Sequence, residues 1–182
     1  DKSEDFLRDV RHLWLRSRRM NLVMKIRADV LEFAREFFKS QGFTEVSPPM
    51  FISAAVEGGS TLFTVKYFEQ EAYLSQSWQL YAEAAIASLG KIYTLAPSFR
   101  AEKSRTRRHL TEYWHLEAEA PWCDLDCIMK VQESLLGHVF NSLTENVAKE
   151  LETLGRPPHE LLGMMPPFQR ICYDEAVNIL EK

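Results

Sequence analysis

"FRAEKSRTRRHLTEYWHLEAE", residues 99–119, is the stretch on which the reading of this chain turns. Arg100, Lys103, Arg105, Arg107, Arg108 and His109 crowd between two strand-like flanks, "IYTLAPSF" and "EYWHLEAEA", and the acids Glu112, Glu117 and Glu119 follow them. Two strands joined by a polar loop form an antiparallel pair. Side chains alternate along a strand, so Ser98, Arg100 and Glu102 share one face. On the partner strand Tyr113, His115, Glu117 and Glu119 share a face, with Trp114, Leu116 and Ala118 opposite. The expected pair is therefore apolar on the side packed against the core and wet on the other. Arg clamps a phosphate bidentately, an aromatic ring stacks on a base, and a carboxylate accepts from an amine or an amide. From charge alone, a solvated hairpin tip carrying Lys and Arg for solubility competes with that reading.

The 182 residues suffice for one domain with a sizeable core, and 46% apolar with 26% charged residues is ordinary for a globular protein. A net charge of −4 argues against a protein that coats nucleic acid generally, so anion binding must come from a local patch. No run of about 18 apolar residues marks a membrane span, and no signal peptide is visible. Cys123, Cys127 and Cys172 contain no CxxC, and with His138 they lack the second tight pair that a metal site needs. Reduced, partly buried thiols are expected, which fits a cytoplasmic location.

Before the basic stretch, Val23, Ile26, Val30, Phe33, Ala34 and Phe37 recur at helical spacing until Gly42. "FTEV" reads as a short strand broken by Pro48 and Pro49, and "EGGST" at 57–61 as a turn. "LFTVKYF" and "AYLSQ", separated by "EQE", read as a hairpin, and 77–89 as a helix capped by Ser77 and ended by Gly90. After it, one long helix is expected from about Asp124 to Leu154, burying Leu125, Ile128, Met129, Leu135, Leu136, Val139, Leu143 and Val147. A short strand, "FQRIC", and a helix after Asp174 complete the chain. Strands and helices without regular βαβ alternation indicate an α+β fold with an antiparallel sheet flanked by helices.

"FRAE" at 99–102 followed by "RHLTEYWHLEAE" at 108–119 resembles motif 2 of the class II aminoacyl-tRNA synthetases. "GFTEVSPPMF" at 42–51 looks like motif 1, with Pro49 in the place of its proline. "EGGSTLF" and "QSWQLY" resemble the substrate-loop segments of the aspartyl, asparaginyl and lysyl subgroup (subgroup b), and "RHLWLRSRR" at 11–19 its junction after the anticodon-binding domain. The motifs come in the family's order over nearly the whole chain. The resemblance implies residues 1–20 as that junction and 21–182 as the first part of a catalytic domain. Within the subgroup the match is best to the asparaginyl-tRNA synthetases. The aspartyl enzymes carry "QSPQLYK", whose Lys pairs with the substrate carboxylate, and Ala82 stands at that position here. Losing the cation and presenting Glu117, where the aspartyl enzymes carry Asp, favours a neutral carboxamide over a carboxylate.

The roles implied by the resemblance are these. Arg100 is the catalytic residue, holding the α-phosphate of ATP and the substrate carboxylate. Glu102 meets the adenine amino group, Arg108 and His109 reach the outer phosphates, Tyr113 stacks near the adenine, and Leu110 borders the ATP site. Glu57 closes over the amino acid, with Ser77 and Gln79 adding polar contacts and Glu117 reading the side-chain amide. Lys103, Arg105 and Arg107 touch the tRNA acceptor end, where phosphate contacts position without specifying. Pro49 lies at the interface of a homodimer. No metal ligand is assigned in this chain, because the acids that hold Mg2+ are expected mainly in the C-terminal part of the catalytic domain, which this sequence lacks together with the family's third motif. For the same reason little activity is expected from this chain alone. The other readings are an aspartate-activating synthetase (aspartyl-tRNA synthetase or an asparagine synthetase of the same fold) and a non-catalytic dimerisation or RNA-binding paralogue.

Overall fold

The computed structural model describes residues 3–53, 62–103, 106 and 108–181. The expected turn at 57–61, with Glu57, and the loop residues Arg105 and Arg107 lie outside these. In chain order the elements are α1 (Glu4–Asp9), α2 (Arg11–Trp14), α3 (Arg18–Ser40), β1 (Thr44–Glu45), β2 (Phe51–Ile52), β3 (Thr64–Tyr67), β4 (Gln70–Leu74), α4 (Gln79–Leu89), β5 (Ile92–Phe99), β6 (Glu112–Glu119), α5 (Leu125–Asn146), α6 (Ala148–Thr153), α7 (Pro158–Leu162) and α8 (Tyr173–Leu180). Two compact units result, one of residues 1–37 with 124–182 and one of residues 38–123.

The first unit is helical. Val139, Leu143, Val147 and Leu151 form its buried cluster, with Ile26, Val30, Phe33, Leu135 and Leu161 packed against it. Helical spacing along α3 and α5 places these residues on the faces that meet. The expected single helix from Asp124 to Leu154 is two helices, α5 and α6, because Val147 leaves the helical region at φ −130°. Leu125 and Leu136, expected in the core, are instead exposed. Asp124 caps α5 by accepting from the Cys127 N–H at 2.9 Å. Cys123 and Cys127 are disulfide-bonded, where reduced thiols were expected, and Cys172 is free and exposed. Four-residue spacing at a helix start leaves two cysteines within bridging reach.

"FQRIC" is not a strand. Side chains of α5 fix that segment instead: Glu133 accepts from the Phe168 N–H at 3.1 Å and pairs with Arg170 at 2.9 Å. With no neighbouring strand to satisfy its backbone, the segment takes one partner from a carboxylate.

The second unit holds two three-stranded sheets, β1-β5-β6 and β2-β4-β3. In the first, β1 runs parallel to β5 and β6 antiparallel to it, with Ser98 opposite Tyr113, Ala96 opposite His115 and Thr94 opposite Glu117. In the second, β3 and β4 form the expected hairpin, turning at Phe68, whose φ of 53° supplies the twist that two-residue hairpin turns need. Gly42 and Gly90, at φ 77° and 72°, end α3 and α4 as their place in the sequence predicts. Trp78, Ala82 and Ile92 form the buried cluster between α4 and the sheet, while on the other face the Phe38 ring stacks on Tyr93 at 4.7 Å.

That arrangement corrects the expected division into wet and dry faces. Thr94 and Ser98, on the polar side, are only 2% and 3% exposed. Trp114, on the apolar side, is 46% exposed. Helix α4 covers the lower part of the polar face, so its buried hydroxyls and the half-buried Glu117 carboxylate find partners within the protein.

Replacing Glu133 by Ala strands the Phe168 N–H and is expected to lower unfolding stability by about 1–3 kcal/mol, while Glu133→Gln, which keeps an acceptor, costs less. Chemical denaturation of the two variants measures the difference.

Candidate active site

The polar face of β5 and β6 is built outward from residue 75. The Ser75 N–H donates to the Met50 carbonyl and the Ser75 carbonyl accepts from the Phe99 N–H, both at 2.9 Å. The Ser75 hydroxyl donates to the Ser77 carbonyl at 2.9 Å. The two sheets of this unit are thereby tied to one another just before α4 begins. The helix starts later than expected, with Trp78 in the N-cap position. Ser77 still serves its start, accepting from the Gln79 N–H at 3.2 Å. The same hydroxyl donates to Glu117 Oε1 at 2.5 Å, and the Trp78 N–H points at Glu117 Oε2 at 3.4 Å. The Trp78 side chain anchors the turn at 1% exposure, its indole Nε1 buried without a hydrogen-bond partner among the described residues.

On its other side Glu117 Oε2 lies 3.3 Å from His115 Nδ1, which is also 3.1 Å from Ser98 Oγ. Ser77, Ser98, His115 and Glu117 therefore form one connected polar chain across α4, β5 and β6. Alternation along the strands places the last three on one face, as the sequence predicts. The partnership itself, and the part of Ser98 in it, is not visible in the sequence. The only sequence signal was that His115 and Glu117 share a face.

Beyond the strand ends, the Arg100 guanidinium lies over the Tyr113 ring, 5.7 Å from its centre, and the Arg100 N–H donates to the Thr111 carbonyl at 2.9 Å. Arg100 is exposed, so its charge is open to solvent rather than spent within the core. A cleft of about 30 Å³ is lined by Arg100, Glu102, His109, Leu110 and Thr111. That is room for a water or two, not for a nucleotide. His109 Nδ1 is engaged by the Thr106 hydroxyl, and Arg108 and Lys103 are exposed. Gln79 donates its amide to Glu83 at 3.1 Å, along the surface of α4. Pro49 is exposed.

Glu83, Glu117 and Glu119 gather negative charge at the lower end of this face. Burial raises the Glu119 pKa above its ordinary value, and the carboxylates of Glu83 and Glu117 raise it further. Ala82, where the resemblance to aspartyl enzymes would put Lys, is wholly buried against Trp78 and Ile92. A cation there would sit beneath this face, and none does. Among the described residues no group of three or more His, Cys, Asp or Glu side chains could hold a metal ion. The Mg2+ expected with ATP thus finds no ligand set in them and enters no step below. Among the described residues no helix is long and apolar enough to cross a membrane.

The family model for class II tRNA synthetases (D, K and N) matches residues 3–182. This chain belongs to that family. It is 54% identical to the asparagine–tRNA ligase of Thermococcus gammatolerans over 181 residues, which are 100% of this chain and 42% of that protein. The asparagine–tRNA ligase of Thermoplasma acidophilum is 50% identical over 179 residues, 98% of this chain and 42% of the relative. Among solved structures, asparaginyl-tRNA synthetase from Pyrococcus horikoshii complexed with asparaginyl-adenylate superposes with a TM-score of 0.94 at 51% identity, over 98% of this chain and 41% of that one. A putative aspartyl-tRNA synthetase from Leishmania major gives 0.76 at 30% identity, over 86% of this chain and 30% of that one. The chain thus spans about 42% of the length of the first of these relatives. The α+β fold expected of a class II synthetase core is present, with Glu117 on its mixed three-stranded sheet and Arg100 just beyond the end of β5.

In this class II synthetase chain Glu119 binds its proton more tightly folded than unfolded, so its contribution favours the fold below the ordinary pKa of 4.5 and is lost as pH rises through the raised value. Glu119→Gln should therefore raise the melting temperature at neutral pH, with the gain disappearing in melts below pH 4.5.

Proposed function

We propose that the polypeptide carrying this chain joins asparagine to its tRNA through an asparaginyl-adenylate, using ATP. The observation that carries this reading is the Glu117 carboxylate, held by Ser77 and the Trp78 N–H on the face that ends in Arg100, with no cation beside it at position 82. A fixed carboxylate accepts from the NH2 of a carboxamide and repels a carboxylate, which would have to be buried unpaired. The names of the relatives agree with this choice: the asparagine–tRNA ligases at 54% and 50% identity share more of this sequence than the putative aspartyl enzyme at 30%.

In the reaction the asparagine α-carboxylate attacks the α-phosphorus of ATP in line. A P–O bond forms, the bond to the β-phosphate oxygen breaks, and pyrophosphate leaves. A terminal ribose hydroxyl of the tRNA then attacks the acyl carbon and an ester C–O bond forms, the acyl–phosphate bond breaks, and AMP leaves with the electron pair, its phosphate taking up the hydroxyl proton. No nucleophile from the protein is required, and the chain's part is alignment and charge neutralisation. Arg100, exposed and steadied over Tyr113, neutralises the α-phosphate and the attacking carboxylate. Glu102, His109 and Leu110, around the same cleft, meet the nucleotide, with Arg108 at the outer phosphates and Tyr113 near the adenine. Glu57 binds the α-ammonium, and Ser77 and Gln79 complete the amino-acid site. Lys103, Arg105 and Arg107 steady the tRNA acceptor end. Residues 1–20 as the junction from an anticodon-binding domain, Pro49 at a homodimer interface, and a cytoplasmic location rest on the family resemblance.

Pyrophosphate exchange by the full-length polypeptide tests the reading, with asparagine expected to support faster exchange than aspartate. Faster exchange with aspartate would replace the proposal with an aspartate-activating enzyme. Arg100→Ala is expected to reduce the exchange rate about 100-fold.

A further inference from the structure

Glu has three rotatable side-chain bonds, one more than Asp, so a carboxylate that selects a ligand by direction must be restrained. Ser77 and the Trp78 N–H restrain Glu117 from the side of α4. The opposite restraint comes from a residue that nothing in the proposed reaction uses. His115 Nδ1 stands 3.3 Å from Glu117 Oε2 and 3.1 Å from Ser98 Oγ, with side-chain exposures of 30% for His115 and 17% for Glu117. Ser98 is 3% exposed, so its hydroxyl has little water to turn to.

We propose that His115, seated by Ser98, is a positioning residue that fixes the Glu117 carboxylate and so sets the choice of a carboxamide over a carboxylate substrate. This rests on the reading that Glu117 meets the side-chain amide. A single ring nitrogen faces both neighbours, so its proton decides what they exchange. With hydrogen on Nδ1 the imidazole donates to the carboxylate, and the Ser98 oxygen shares that proton as a second acceptor. With hydrogen on Nε2 instead, Nδ1 would turn a lone pair towards a carboxylate oxygen, which is repulsive. The surroundings therefore select the Nδ1–H tautomer. In that form Glu117 has two hydrogen-bond donors, a hydroxyl and a backbone N–H, and a ring N–H facing it at 3.3 Å as a third. A carboxylate has about four lone-pair directions, so roughly one remains open, and its direction is fixed. One fixed acceptor suits a donating NH2.

A histidine satisfied within the strand for packing alone predicts a different pattern of kinetic loss, and that separates the two. Pyrophosphate exchange by the full-length polypeptide would be measured with asparagine, aspartate and ATP varied in turn. For His115→Ala we expect the KM for asparagine to rise about tenfold, the preference for asparagine over aspartate to fall by a similar factor, and the KM for ATP to stay within about twofold. Asn and Gln at this position provide a comparison between chains of similar bulk. The Asn amide nitrogen falls near the place of Nδ1, and His115→Asn is expected to keep most of the preference. The Gln nitrogen reaches towards the place of Nε2, and His115→Gln is expected to lose it. Equal loss by the Asn and Gln variants, or parallel changes in the asparagine and ATP constants, overturns the proposal. Glu117→Gln separates it from the reading beneath. If that variant keeps the wild-type asparagine KM, the assignment of Glu117 fails and the role of His115 fails with it. If it loses the preference while His115→Ala does not, only the role of His115 fails.

Discussion

The contact between the Ser77 hydroxyl and the Glu117 carboxylate joins residues 40 apart in sequence and fastens the start of α4 to the middle of β6. Around it lie the features that give the unit a functional face. The Trp78 indole is packed beneath the helix start, which fixes the position of its N–H. Ser75 ties the same few residues to both sheets through three hydrogen bonds. A buried carboxylate is tolerable only when its lone pairs are met, so removing these donors would expose a desolvation cost rather than simply free a side chain. The polar chain is thus a structural clasp, and the proposed function has the ligand read at the same place.

Division of labour follows along the sheet. Its lower end, beside α4, is acidic, with Glu83 and Glu117 close enough to raise the Glu119 pKa. Its upper end, beyond Phe99, is open and basic, where Arg100 rests over Tyr113 rather than in an ion pair of the core. A substrate with an uncharged polar side chain and an anionic end lies naturally along such a gradient: the side chain enters the region that rejects anions, and the reacting end meets the cation. The chemistry proposed needs no more from this chain than that gradient held still.

The residues that could be read beforehand were those whose signal is local. Alternation between 92 and 119 gave the hairpin and its faces, and helical periodicity with Gly42 and Gly90 gave α3 and the end of α4. What could not be read depended on partners distant in sequence. Val147 belongs to the helical pattern, yet there α5 gives way to α6. "FQRIC" has strand-like composition, but no strand lies beside it, and Glu133 takes its place as acceptor. The face called wet is roofed by α4, because polarity alone does not say which side of a sheet a helix will cover. For the site, residue types and order suggested Arg100, Tyr113 and Glu117. The link from Ser98 through His115 required knowing the register, which sets Ala96 rather than Ser98 directly opposite the histidine and leaves the hydroxyl to reach it diagonally.

Trp78 gives the molecule an optical handle that its sequence does not advertise. Its ring is shut away from water at 1% exposure and its backbone touches the acid proposed to recognise substrate, whereas Trp122, at φ 63°, is fully in solvent. Of the four indoles these two emit from opposite extremes of polarity, the first blue and the second red, with the partly exposed Trp14 and Trp114 between them. A spectral change confined to the blue component therefore reports on the neighbourhood of Glu117 while the other serves as an internal standard. Occupancy of this face can be followed by its own fluorescence, with no label attached.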